Sequence, residues 1–195
     1  GIGEFSIHKE FVSSKVAGGA ASLTNPALDR LLDFAGEVGL VAILHNDLNM
    51  PFPKTGQDPY LLPQLRALFE RHPNTTIIWA HVGLGRIVRP VKDQLALLDV
   101  ALNDPKVSHV YIDSSWDETA KYITSSPEAV AALKKEMTEA KADFRFENLP
   151  GVIHGFSNPD ATALGKKFNM PLRYDAAADK KSWSEMRAFL KDVFK

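Results

Sequence analysis

Two uninterrupted apolar runs, each about one strand long, constrain the fold of this chain more than any other feature. Residues 40–45 read Leu-Val-Ala-Ile-Leu-His, and residues 75–81 read Thr-Thr-Ile-Ile-Trp-Ala-His. A strand with water on one face alternates apolar and polar side chains. A strand covered on both faces does not, and this is the habit of parallel sheets layered between helices. Segments of helical periodicity surround the two runs. Asn25-Pro26 reads as a cap followed by a proline in the first turn, where the N–H that proline lacks would be unpaired anyway. Leu28, Leu31, Leu32 and Ala35 then recur at helical spacing, up to Gly36 and Gly39. Asp58-Pro59 repeats the signal ahead of Leu62, Leu65, Leu68 and Phe69, and a third helix contains Val91, Leu95, Leu98 and Leu102. With strands expected at residues 2–7 and 107–113, the first part reads β-α-β-α-β-α-β. That order predicts an α/β fold, a parallel sheet with flanking helices and right-handed crossovers. A segment of a (β/α)₈ barrel and an open doubly wound sheet share the rhythm. A whole barrel takes about 250 residues, more than the 195 present.

The second part has a different character. Ser126-Pro127 predicts a helix with Val130, Leu133 and Met137 on one face, and residues 143–149 predict a strand. Residues 150–173 predict a long loop. Asp175 caps a final helix whose buried side is expected to be Trp183, Met186, Phe189, Leu190 and Val193. The organisation expected is two segments, 1–124 and 125–195.

Composition narrows the function classes. The chain is 45% hydrophobic and 24% charged, ordinary for a protein with a real core. A formal net charge of −1 supplies no field to draw in nucleic acid or anionic lipid. Cysteine is absent, which excludes disulfides, thiolate-bound zinc and a cysteine nucleophile. The apolar runs are far too short to span a bilayer, and no signal-peptide pattern opens the chain. Starting on Gly1 rather than Met, it reads as the interior of a longer protein or a processed one. The expectation is a soluble, cytoplasmic protein acting on a small molecule, with neither nucleic acid nor membrane as partner.

His45 and His81 close the two apolar runs, at matching places on consecutive strands. The carboxyl ends of parallel strands form the ligand-binding rim of α/β folds. Two imidazoles there could hold one divalent metal, zinc or manganese, with a carboxylate and water completing the shell. Asp113, ending the next strand, is the natural carboxylate, with Asp47 and Glu4 behind it. His8, His72 and His109 lack that placement and read as surface or turn residues.

Gly3-Glu4-Phe5-Ser6-Ile7-His8, Ile43-Leu44-His45-Asn46-Asp47 and Ile77-Ile78-Trp79-Ala80-His81-Val82-Gly83 together resemble the later strands of the amidohydrolase superfamily, over residues 1 to about 124. The resemblance implies a (β/α)₈-type fold and hydrolysis by metal-activated water, or decarboxylation in some members of the amidohydrolase-related branch. It implies that His45 and His81 match the histidines of that family's fifth and sixth strands. The first-strand His-x-His pair and the last-strand Asp of the family have no counterpart here, and Asp113 falls on what would be the seventh strand.

A second resemblance begins at about residue 125. Ser126-Pro127-Glu128 with the helix after it, the loop Gly151-Val152-Ile153-His154-Gly155, and Tyr174-Asp175 with the final helix look like the C-terminal end of the dienelactone hydrolase family, an α/β-hydrolase. It implies that His154 is a catalytic base. No Gly-x-Ser-x-Gly or Gly-x-Cys-x-Gly elbow occurs, so the nucleophile of such an esterase would be another serine, such as Ser114 or Ser115. A third expectation is a non-catalytic fragment or assembly module. Exposed sheet edges of an incomplete barrel favour pairing with another chain, so a homo-oligomer is its natural form.

Overall fold

The computed structural model describes residues 1–9, 15, 17, 21–52, 57–85, 88–91 and 93–195. Gly18-Gly19, in the expected loop after the first strand, lie outside the described residues. The chain divides into two compact units, Gly1–Ser125 and Ser126–Lys195.

The first unit contains β1 (Ile2–His8), α1 (Pro26–Glu37), β2 (Ala42–Asn46), α2 (Leu62–Arg71), β3 (Ile77–Trp79), α3 (Gln94–Leu102), β4 (Val110–Ile112) and α4 (Asp117–Ile123). The strands make one parallel sheet in the order β1-β2-β3-β4, with Ala42 beside Ile77 and Ile77 beside Val110. The protein is therefore of the α/β class with helices between its parallel strands. Strand order follows chain order throughout. The reversal that creates the ligand crevice of a doubly wound sheet does not occur among the described strands.

Local chemistry accounts for most of the elements. Asn25 Oδ1 accepts the Ala27 N–H at 2.9 Å and caps α1, which buries Leu28, Leu32 and Ala35. Helix α2 starts at Leu62, later than the Asp58-Pro59 signal, because Asn49 Oδ1 takes the Tyr60 N–H at 3.1 Å and holds that stretch in a turn. Val91 precedes α3, where it accepts from the Gln94 N–H. Thr75 lies ahead of β3 and bonds sideways, its hydroxyl donating to the Leu32 carbonyl at 2.7 Å. Helix α4 has no side-chain cap, and its seven residues carry no periodic signal that reveals it in the sequence.

The core is one continuous cluster. Leu23, Leu32, Leu44, Leu65, Leu68, Ile77 and Val107 are all essentially without exposed surface and enclose Trp79. The indole N–H of Trp79 donates to the Asn46 carbonyl at 2.9 Å, so its one polar atom is satisfied at the centre of the unit. Strand β4 departs from the expected buried run: Tyr111 and Ile112 are exposed, and only Val110 turns inward.

The second unit contains α5 (Pro127–Glu139), α6 (Ala161–Phe168) and α7 (Ala176–Val193). Both expected caps form. Ser126 Oγ accepts the Ala129 N–H, and Asp175 Oδ1 accepts those of Ala177 and Ala178. Three expectations fail. Residues 143–149 form no strand; a strand needs a partner edge, and the described residues of this unit contain none. The expected loop holds α6, closed by Asn169 in the left-handed conformation. The apolar side of α7 is exposed, with Trp183, Met186, Phe189, Leu190 and Val193 showing 36–53% of their surface. No described helix of either unit is long and apolar enough to cross a membrane.

Candidate metal centre

The site is built from Glu4 within β1, His45 near the end of β2 and His81 just after β3. Gly3 sits against β2 at φ +115°, and a Cβ there would lie 2.3 Å from the Ile43 carbonyl oxygen. That close approach brings Glu4 to His45. Glu4 Oε1 is 3.0 Å from His45 Nδ1, and Glu4 Oε2 is 3.5 Å from His81 Nε2. The two imidazoles meet edge to face with centroids 4.9 Å apart. One ligand atom from each of Glu4, His45 and His81 lies within 4.8 Å of the others. Among the described residues this is the single such group of three or more.

His81 reaches the group through unusual backbone. It follows β3 at φ 57°, Val82 sits at φ 55°, and Gly83 at φ +66°. Left-handed conformation in a β-branched residue such as valine is a true outlier, and each such residue costs about 1–3 kcal/mol. Hydrogen bonds hold the turn. Asp113 Oδ1 accepts the His81 N–H at 3.0 Å, the His81 carbonyl accepts the Leu84 N–H, and the Gly83 carbonyl accepts the Leu48 N–H at 2.7 Å.

The remaining groups surround this triangle. Both ring nitrogens of His45 face carboxylates, because Asp47 Oδ1 lies 3.3 Å from Nε2. Trp116, at φ 79°, has its ring 5.1 Å from that of His81 and 5.9 Å from that of His45. Lys9 Nζ lies 3.6 Å from Glu4 Oε1 and 4.9 Å from the Trp116 ring centre. Burial lowers the pKa of His8 despite the opposing pull of the Asp47 charge. Burial would raise the pKa of Asp113, but hydrogen bonds from the Ser115 hydroxyl and from the backbone of His81 and Ser115 hold it below the usual carboxylate value.

Of the residues expected from sequence, His45 and His81 come together. Asp113 stands behind His81, 3.5 Å from Nδ1 on the side away from Glu4. The carboxylate that reaches both imidazoles is Glu4, ranked behind Asp113 in the sequence. Its cue was an acid directly after a glycine, on the strand preceding that of His45. His154 belongs to the second unit, exposed in a turn, where its carbonyl accepts the Arg173 N–H. His72 is no surface turn residue. It is buried, with Nδ1 2.8 Å from Asp33 and Nε2 2.8 Å from Asp29. The i,i+4 spacing of those two acids on one face of α1 was the signal for it. His109 also turns inward, with Nε2 3.0 Å from the Phe69 carbonyl oxygen.

Two histidines at the carboxyl ends of parallel strands and a carboxylate from the strand beside them form a group that could hold a metal ion. A family model described as Amidohydrolase matches residues 8–144, and the chain belongs to that family. A second model, the dienelactone hydrolase family, matches residues 121–194. The two matches overlap through α5, and Glu4 lies just ahead of the first. No curated protein and no solved structure matches the chain.

Proposed function

We propose that this chain is a metal-dependent hydrolase of amidohydrolase type, with Glu4, His45 and His81 as ligands to one divalent cation, zinc or manganese. The convergence of those three side chains carries the reading. The donor set fits: two imidazoles and a carboxylate suit zinc, and leave coordination positions for water and substrate. When bound, such a cation supplies Lewis acidity and lowers the pKa of a coordinated water toward neutrality. The chain's own residues hold and orient. Asp47 accepts from the far nitrogen of His45, and Trp116 walls the two imidazoles with its ring. Lys9 sets a positive charge beside Glu4, where an anionic part of a small substrate could dock.

The test is metal content and activity of the purified full chain, stripped with chelator and titrated with zinc or manganese. One equivalent per chain is expected, and His45→Ala and His81→Ala should each abolish tight binding. Wild-type protein with no affinity for either metal would sink the reading.

The dienelactone hydrolase match favours a second reading, ester hydrolysis with His154 as base. It requires a nucleophilic serine, and failure of a fluorophosphonate probe to label any serine removes it. A folded oligomer with neither metal nor probe reactivity would leave the chain as an assembly module.

A further inference from the structure

The far side of His81 carries information that the ligand set does not. Ser115 Oγ donates to Asp113 Oδ1 at 2.6 Å. That same oxygen already accepts the backbone N–H groups of His81 at 3.0 Å and Ser115 at 2.9 Å. A hydroxyl has one hydrogen, and this one is committed to Asp113. Ser115 Oγ therefore offers only lone pairs to His81 Nδ1, which lies 2.9 Å away. The Ser115 carbonyl oxygen, 3.0 Å from the same nitrogen, is a second acceptor. Asp113 Oδ1, at 3.5 Å, is a third.

Three acceptors around one ring nitrogen require a hydrogen on it. We infer that Asp113 and Ser115 are positioning residues that hold a hydrogen on Nδ1 of His81, so that whenever the ring is neutral the lone pair lies on Nε2, the nitrogen presented to Glu4 and His45. The consequence shows on the near side. Nε2 faces Glu4 Oε2 at 3.5 Å; in the neutral ring this sets a lone pair against a carboxylate, an opposition that a cation between them relieves. His45 is anchored by the same logic with its nitrogens exchanged. Its far atom, Nε2, faces the buried Asp47, and its near atom, Nδ1, faces Glu4. Outer hydrogen bonds of this kind fix which nitrogen can ligate, and their loss typically weakens metal affinity about 10–100-fold. In assigning that purpose, the inference rests on the metal reading proposed above. The hydrogen position does not.

The two are therefore separable by experiment. Long-range ¹H–¹⁵N correlation spectra of the metal-free, ¹⁵N-labelled full chain at about pH 8, where an ordinary imidazole is neutral, report which nitrogen of each histidine carries hydrogen. The His81 signal is identified by its absence in His81→Gln. Hydrogen on Nδ1 is expected in the wild type, and hydrogen on Nε2 would overturn the inference without any variant having to fold. Asp113→Ala frees the Ser115 hydroxyl to donate, so the Nε2–H form should appear, whereas Ser115→Thr keeps the hydroxyl and should keep the wild-type spectrum. Zinc titration of the same proteins should show Asp113→Ala weakened about 10–100-fold and Ser115→Thr unchanged; equal affinity in all three would overturn the positioning role. A chain with hydrogen on Nδ1 that takes up no zinc would retire the metal reading and leave the tautomer assignment standing.

Discussion

The two units are built from similar kinds of apolar sequence and use it differently. In the first, leucine, isoleucine and valine side chains close around Trp79 with almost no exposed surface. In the second, the fully buried apolar side chains among the described residues are two alanines, Ala161 and Ala178, while Trp183, Met186, Phe194 and Val193 stay exposed. The helices α5 and α7 of the second unit are as well capped as α1. Capping determines where a helix starts, whereas core burial determines how firmly it is held, and burial contributes more. Each fully buried large apolar side chain is worth about 1.5–3 kcal/mol, against about 1 kcal/mol for a good cap.

The largest expected effect comes from exchanging the tryptophans. Trp79→Ala should cost about 3–5 kcal/mol in urea unfolding, and Trp183→Ala under about 1 kcal/mol. Equal losses would mean that the α7 face is covered in solution and that the contrast between units is false. Intermediate effects belong to the caps. Asn25→Ala and Asp175→Ala should each remove about 1 kcal/mol of helix stability. By amide hydrogen exchange the first should loosen α1 only locally, while the second should open α7 along much of its length. Matching local responses would show the second unit to be as cooperative as the first.

The smallest effect is electrostatic. Burial would raise the pKa of Asp29, but hydrogen bonds from His72 and Arg71, together with their charges, hold it below the ordinary carboxylate value. A lowered folded-state pKa stabilises above the unfolded value and loses that contribution as pH falls through the folded one. The first unit should therefore weaken as pH drops below about 4, and Asp29→Asn should flatten that part of the thermal-stability profile. An unchanged acid limb in the variant would show that Asp29 contributes nothing to it.

The sequence was most informative where the structure is most buried. Unalternating runs at residues 40–45 and 75–81 announced β2 and β3, because only a sheet covered on both faces tolerates such runs. The placement of His45 and His81 followed from that geometry. Glu4 was harder to rank, since its reach depends on how closely β1 approaches β2 at Gly3, a distance that no residue pattern encodes. The inward turn of His72 likewise depends on the end of α2 reaching Asp29 and Asp33 of α1. In the second unit, the periodicity of α7 correctly located a helix and misassigned its face. Periodicity states which residues share a side, and something else must supply the partner that covers it.

The left-handed turn that carries His81 is held by its main chain. Asp113 takes the peptide N–H, the peptide oxygen receives Leu84, and Gly83 admits no side chain, because a Cβ there would lie 2.8 Å from the Leu48 nitrogen. None of these bonds involves the imidazole itself. The turn therefore sets the direction of the Cα–Cβ bond whatever side chain it carries, and the length of the imidazole does the rest: cysteine or aspartate at this position would leave in the same direction and stop short of the place where Nε2 meets Glu4.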